Sequence, residues 1–248
     1  MRVGLIGAGN MARAMARGWG EPVLASDSGS GRATALVREL GGEALSNVEV
    51  AERADVVALC HKPYQLNQVA AEIAGKAKIV ASVLGGVSVV NLRAAYPETP
   101  VFSFIPNTPV EVRRGVICYA RPDDPPQQEP DVVALFARLG KVVAMPERLL
   151  GAGAAVASVG PAYQALLIEA QVDAAVRHGI DARTAAELAV ETMAGSAELL
   201  HHRDYDTLAV RREVTSPGGT TARGLDALER HGVRSAFQAA MDAVRSGS

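Results

Sequence analysis

Between Val214 and Leu225 the chain reads Val-Thr-Ser-Pro-Gly-Gly-Thr-Thr-Ala-Arg-Gly-Leu, residue types suited to capturing an anion. Pro217 fixes one backbone angle, and Gly218 and Gly219 reach angles that other residues avoid. Thr220 or Thr221 is placed to cap a helix expected to begin at Ala222. Such a loop aims bare backbone N–H groups and hydroxyls at one spot, at the positive end of a helix. A carboxylate fits that spot.

A second glycine-rich turn opens the chain. Gly7-Ala8-Gly9-Asn10-Met11-Ala12 follows an apolar run and leads into a helix, matching the dinucleotide fingerprint with Ala12 in the third small position. Gly7 allows the tight turn, Gly9 lets a pyrophosphate approach the backbone, and Ala12 lets helix and strand pack closely. Asn10 leads into the helix that begins at Met11, whose N-terminus would face the phosphates. Asp27 ends the next strand, where an acid can bind a ribose 2′-hydroxyl, which favours NAD. Ser26, Ser28, Ser30 and Arg32 crowd the same loop and could instead hold a 2′-phosphate, with Arg32 pairing to it. NADPH and NADH both stay open.

Three further turns fall at the ends of apolar runs, where parallel strands face a ligand crevice. His61-Lys62-Pro63 is placed for backbone contact with the adenosine side of the cofactor, with the Lys62 side chain read as a solvent-facing charge. Ser82-Val83-Leu84-Gly85-Gly86 is similarly placed. In Pro106-Asn107-Thr108-Pro109, Asn107 sits between two prolines, stiff enough to orient a nicotinamide or a substrate.

The elements that must position these residues fall into two kinds. Strands are expected at Val3–Ile6, Val23–Ser26, Asp55–Leu59, Ile79–Val83, Val101–Ile105, Val116–Ala120 and Val142–Met145. Helices alternate with them at Met11–Trp19, Arg32–Leu40, Val48–Arg53, Leu66–Ala74, Val87–Tyr96 and Asp131–Leu139, with a surface loop over Pro122–Pro130. That rhythm predicts an α/β fold with a parallel, doubly wound sheet over residues 1–148. Beyond it, residues 149–248 show helical spacing only, at Ala154–Gly179, Ala182–His202, Tyr205–Val214, Ala222–Arg230 and Val233–Arg245, an all-α second domain. The alanine-rich stretch Ala162–His178 is apolar on more than one face, the mark of a helix buried between subunits.

Composition narrows the class. The 248 residues are 48% hydrophobic and 4% aromatic, so the packing is aliphatic. A net charge of −2 with dispersed Lys and Arg gives no nucleic-acid footprint. Cys60 and Cys118 read as reduced, buried thiols. The first apolar run, Val3–Ile6, is too short for a secretory leader, and no run reads as long enough to span a membrane. The expectation is a cytoplasmic protein with no membrane partner. His201-His202 has no third ligand, so no metal site is expected; His178 and His231 precede glycines at helix ends.

Together these motifs resemble the Δ1-pyrroline-5-carboxylate reductase family. Thr215-Ser216-Pro217-Gly218-Gly219-Thr220-Thr221, with Gly224-Leu225 and Leu228-Glu229, is similar to its signature. Gly7-Ala8-Gly9-Asn10-Met11, Lys62-Pro63, Pro106-Asn107-Thr108-Pro109 and Gly160-Pro161-Ala162-Tyr163 match its other landmarks in the same order. The resemblance implies a Rossmann domain followed by a helical dimerisation domain, and reduction of a pyrroline C=N bond by NADPH or NADH to give proline. It also implies that Ser216, Gly218, Gly219 and Thr220 hold the substrate carboxylate. Thr221 would stand at the ring nitrogen, and Asn47 near the adenosine ribose. A homodimer, or a ring of dimers, would complete the site. The chain departs from the family pattern at Ser103 and at Ser158-Val159.

The rest of the sequence agrees with that chemistry. An iminium carries its own positive charge and needs positioning more than a strong acid. No lysine follows Lys141, which excludes the second-domain catalytic lysine of the similarly built β-hydroxyacid dehydrogenases. The alternatives left are a related reductase acting on another cyclic imine and a non-catalytic NAD(P)-binding protein. The first has no use for so complete an anion loop, and the second none for Thr221.

Overall fold

The structure is a computed structural model that describes residues 1–246; positions 247 and 248 of the expected helical domain lie outside the described residues. Contacts gather the chain into two units, Met1–Pro161 and a second beginning at Ala162.

In the first unit β1 (Val3–Ile6), α1 (Asn10–Trp19), β2 (Val23–Ser26), α2 (Arg32–Leu40), β3 (Gly42–Ala44), α3 (Asn47–Arg53) and β4 (Val56–Leu59) follow in turn. A 3-10 turn at Pro63–Gln65 leads to α4 (Leu66–Glu72), β5 (Val80–Ser82), α5 (Val89–Ala95) and β6 (Val101–Pro106). A second such turn, Thr108–Val112, precedes β7 (Gly115–Ala120), α6 (Glu129–Ala137), β8 (Gly140–Met145) and α7 (Glu147–Ala157). One eight-stranded sheet results, in the order β3-β2-β1-β4-β5-β6-β7-β8. Helices cover both faces, so the central strands β1, β2, β4 and β5 are buried at every position. Leu5, Ala25, Val56, Ala58, Ala81 and Phe104 face α1, α2 and α6. Their neighbours Ile6, Leu24, Val57, Leu59 and Val80 face α3, α4 and α5.

The sheet is not wholly parallel. β7 runs antiparallel to β6, and β8 runs parallel to β7. The connection from Pro106 to Gly115 is too short for a crossover helix, and it turns back through Thr108–Val112 instead. Gly18 permits that turn to close on α1: a Cβ there would lie 2.1 Å from the Val110 carbonyl oxygen. Edge strand β3, fully exposed, has no apolar signature. Within this unit two helices start two or more residues earlier than expected. α6 begins at Glu129, with Pro130 in its first turn, where proline is tolerated. α7 begins at Glu147 and packs on the sheet through Leu150, against Cys118 and Ala120.

The second unit is helical throughout its described residues. α8 (Gly160–Arg177) begins just before the boundary, and α9 (Ala182–His202), α10 (Thr207–Glu213), α11 (Thr220–Arg230) and α12 (Val233–Ser246) follow. Side-chain caps start two of them: Asp181 accepts from the Thr184 N–H, and Asp206 from those of Leu208 and Ala209. Tyr163 packs edge-on against Phe237. No side chain of α8 is buried within this chain, and Leu166 is 62% exposed. Leu188, Val190, Leu208, Leu228 and Phe237 are exposed as well. By length and composition alone, the helical run Glu147–Arg177 is apolar enough to cross a membrane, contrary to the sequence expectation. Ser158 and Val159 interrupt it between α7 and α8.

Candidate functional sites: a cofactor crevice and an anion loop

At the carboxyl ends of β1, β2 and β4 the fingerprint turn is built as expected. Gly7 has φ +99°, and a Cβ would lie 2.6 Å from the His61 nitrogen and 2.7 Å from the Cys60 carbonyl carbon. Its backbone N–H donates to the Ser26 carbonyl at 3.0 Å. The turn is therefore locked between β2 and the end of β4. Two residues on, Gly9 is the N-cap of α1 with φ −73° and ψ −173°, and no side chain caps the helix. Nothing lies within 4 Å of a Cβ at Gly9, and the first turn holds no acid. Asn10, Met11 and Ala12 thus begin the helix with N–H groups that lack intrahelical acceptors, which suits a pyrophosphate. Asn10 is exposed and Met11 half-buried, while Ala12 is buried against the sheet.

Asp27 proves to be occupied. Its Oδ1 accepts from the Gly29 N–H (2.8 Å) and the Ser30 N–H (3.1 Å); its Oδ2 accepts from the Ser30 hydroxyl (3.0 Å) and the Ala33 N–H (2.7 Å). Partial burial acts to raise its pKa, but the bonds from Ala33, Gly29 and Ser30 outweigh that and hold it below the ordinary range. The carboxylate shapes the loop and caps α2 behind Gly31. Arg32, the first residue of α2, is exposed, as is Ser28. Ser26 is buried, and its hydroxyl donates to Asn47 Oδ1 at 2.6 Å.

At the end of β4, Lys62 and Pro63 lead the 3-10 turn, and both are exposed. The Lys62 N–H donates to Gln65 Oε1 at 3.1 Å. His61 Nδ1 lies 2.8 Å from the Lys62 carbonyl oxygen and Nε2 is buried, and burial pushes the pKa of the ring below the usual value. What His61 turns toward Gly7 is backbone. Burial also drives the Cys60 thiol up to about 12, leaving it inert. Asn107 is buried with its amide engaged at both ends. Nδ2 donates to the Ala157 carbonyl (3.0 Å) and Oδ1 accepts from the Val116 N–H (2.8 Å), joining the end of α7 to β7.

The anion loop of the second unit forms at the start of α11. Gly218 has φ +69°, and the Gly219 N–H closes a turn on the Ser216 carbonyl at 3.0 Å. Gly219 is the N-cap, with φ −72° and ψ 176° and no side-chain cap. The helix therefore begins at Thr220, two residues before the expected start, and neither threonine serves as its cap. Thr220 and Thr221 occupy the first turn, exposed, with no acid beside them. Sequence reasoning passed over Arg223. Its Nη1 donates to the Gly218 carbonyl at 2.7 Å, bracing the loop and adding a positive charge beside it. Its place in the first turn of α11 is the signal that could have found it. Among the described residues no group of three or more His, Cys, Asp or Glu side chains is arranged to hold a metal.

A fingerprint turn on a doubly wound sheet, followed by a helical unit, defines a nicotinamide-dependent oxidoreductase. Residues 2–86 match a family model described as NADP oxidoreductase coenzyme F420-dependent, and residues 147–248 match pyrroline-5-carboxylate reductase dimerisation. The chain is 38% identical to the pyrroline-5-carboxylate reductase of Synechocystis over 81% of this chain and 75% of that one. It is 34% identical to that of Mycobacterium tuberculosis, over 100% and 95%. The crystal structure of Plasmodium falciparum pyrroline carboxylate reductase with NADP bound superposes with a TM-score of 0.86 at 25% identity, covering 98% of this chain and 95% of that one. The chain belongs to the pyrroline-5-carboxylate reductase family.

Proposed function

We propose that the protein reduces Δ1-pyrroline-5-carboxylate to L-proline with NADPH or NADH. The observation that carries this reading is the start of α11. A glycine-capped helix of 11 residues presents its first N–H groups with no side chain and no acid to satisfy them, in a chain of this family. In this reading Ser216, Gly218, Gly219 and Thr220 hold the substrate carboxylate, and the helix dipole adds to the attraction. Thr221, one residue further on, exchanges a hydrogen bond with the ring nitrogen as that nitrogen gains its proton. The bound cofactor supplies the hydride. The uncapped start of α1 and the open face of Gly9 suit its pyrophosphate, and Gly7, Asn10, Met11, Ser26, Asn47, His61, Lys62 and Pro63 line its path. Asp27 and Arg32 frame the loop at the adenosine ribose. Asn107 acts from within the first unit, fixing the end of β6 through its bonds to Ala157 and Val116.

By function the chain divides at 148/149 into a dinucleotide-binding domain and a helical dimerisation and substrate domain. The dimerisation match beginning at residue 147 supports that division. The unburied apolar side chains of α8 support a homodimer, or a ring of dimers, as the active form. Such an interface also accounts for the apolar run Glu147–Arg177 without a membrane, in keeping with a cytoplasmic enzyme of proline biosynthesis that has no nucleic-acid partner. The test is a steady-state assay with synthetic pyrroline-5-carboxylate and each reduced cofactor. Turnover to proline is expected, and no turnover with either cofactor would sink the assignment.

A further inference from the structure

A chain of hydrogen bonds at the edge of the cofactor crevice ends on a residue that no motif singles out. Asn47 begins α3, immediately after β3 and beside the end of β2. Ser46 and Glu49 fix its backbone through a reciprocal capping box. Its Oδ1 accepts from the Ser26 hydroxyl at 2.6 Å, and its Nδ2 donates to Glu72 Oε2 at 2.6 Å. Gln68 Nε2, one helical turn back on α4, donates to Glu72 Oε1 at 3.0 Å and steadies the carboxylate.

An asparagine amide can present either end to a ligand, and only its partners decide which. The Ser26 hydroxyl can donate or accept, so by itself it selects neither. A carboxylate only accepts. Were the amide reversed, its carbonyl oxygen would meet the Glu72 carboxylate, acceptor against acceptor. Glu72 therefore locks the amide in one sense and leaves the second Nδ2 hydrogen for a further acceptor. We propose that Glu72 is a positioning residue for the cofactor, holding Asn47 as a fixed hydrogen-bond donor toward the adenosine ribose. This rests on Asn47 being a cofactor contact, as set out above.

The test is direct binding, read from the fluorescence of NADPH and NADH, on Glu72→Ala, Glu72→Gln, Asn47→Ala and the double variant Asn47→Ala/Glu72→Ala. Melting temperatures and kinetics with pyrroline-5-carboxylate are measured alongside. Glu72→Ala is expected to weaken both cofactors about fivefold to tenfold, with melting unchanged and the loss of rate overcome by saturating cofactor. Glu72→Gln, whose amide oxygen still accepts from Nδ2, should recover most of the affinity. The double variant should bind no worse than Asn47→Ala alone. If Asn47→Ala leaves affinity intact, Asn47 is not a cofactor contact and the proposal falls with that reading. If Asn47→Ala weakens binding and Glu72→Ala does not, the contact stands and the proposal alone is overturned. Additive losses, or an affinity loss that tracks a drop in melting temperature, would make Glu72 a brace between α3 and α4 and overturn it equally.

Discussion

Two helices in this chain start in nearly the same way. Gly9 before α1 and Gly219 before α11 have almost identical backbone angles, no side-chain cap and no acid in the turn that follows. Each is preceded by a glycine in the left-handed region, Gly7 or Gly218. Their surroundings differ. Gly7 is pressed against the backbone of Cys60 and His61, whereas nothing lies within 4 Å of a Cβ at Gly218. The same local device is fixed in one case by the chain's own sheet. In the other it is held by the Gly219–Ser216 turn and by Arg223. Local geometry makes an anion site, and the packing around it decides how rigid that site is.

That contrast predicts unequal responses to substitution. Gly7→Ala should be the most damaging, because a methyl group has no room against backbone at 2.6 Å. A loss of about 3–5 kcal/mol in denaturant unfolding, together with loss of cofactor binding, is expected; a variant that binds NADPH normally would mean that the turn is not locked. Thr221→Ala should lower kcat about a hundredfold while leaving cofactor affinity and melting temperature alone. Equal loss of cofactor binding would show that the α11 loop is misread. Asp27→Ser removes an acceptor of four hydrogen bonds and should cost about 1 kcal/mol of stability, while shifting the affinity ratio toward NADPH. An unchanged ratio would confine Asp27 to shaping its loop. Arg223→Ala should raise the substrate KM about threefold to fivefold with no change in cofactor KM, because it braces the loop through the Gly218 carbonyl.

The smallest effect concerns pH and belongs to the rigid site. Burial depresses the pKa of His61 below the value it has in the unfolded chain. The unfolded state therefore binds the proton first as pH falls. The stability contributed is complete above about pH 6.5 and is lost as pH drops through the folded value. Melting temperature should fall between pH 7.5 and pH 5, and His61→Asn should flatten that slope. An unchanged slope would show that the imidazole is hydrated in the folded protein.

Much of this was legible in the sequence because apolar runs and glycine turns leave local marks. The strands from Val3 to Phe104 other than β3, and the fingerprint turn, could be read directly. The direction of β7 could not, since Val116–Ala120 has the same apolar pattern in a parallel or an antiparallel strand. Strand β3 is three exposed residues with no apolar pattern, held by pairing with β2 and by ion pairs of Glu43 with Arg2 and Arg53. The start of α7 was hidden by Gly151 and Gly153. The second of these is there for packing, since a Cβ would sit 2.8 Å from the Met145 sulfur and 3.2 Å from that of Cys118. At the sites, residue types announced Asp27 and Asn107 but not their partners. Asp27 looked free for a ribose and is bonded to its own loop. Asn107 looked aimed at a ligand and instead joins α7 to β7. Glu72 carried no signal of its own, because it matters only through a neighbour that folding supplies, and Arg223 was marked only by its place at the start of α11.

The unburied faces of α8 make concentration a structural variable. A helix that fully buries none of its side chains within its own chain leaves apolar area to be covered by association, so folding and assembly draw on the same free energy. For a dimer that forms as it folds, each tenfold dilution removes about 1.4 kcal/mol from the apparent stability of the folded pair. The midpoint of unfolding should then be a property of the solution as much as of the molecule. The abundance of the chain would act as its own stabilising ligand.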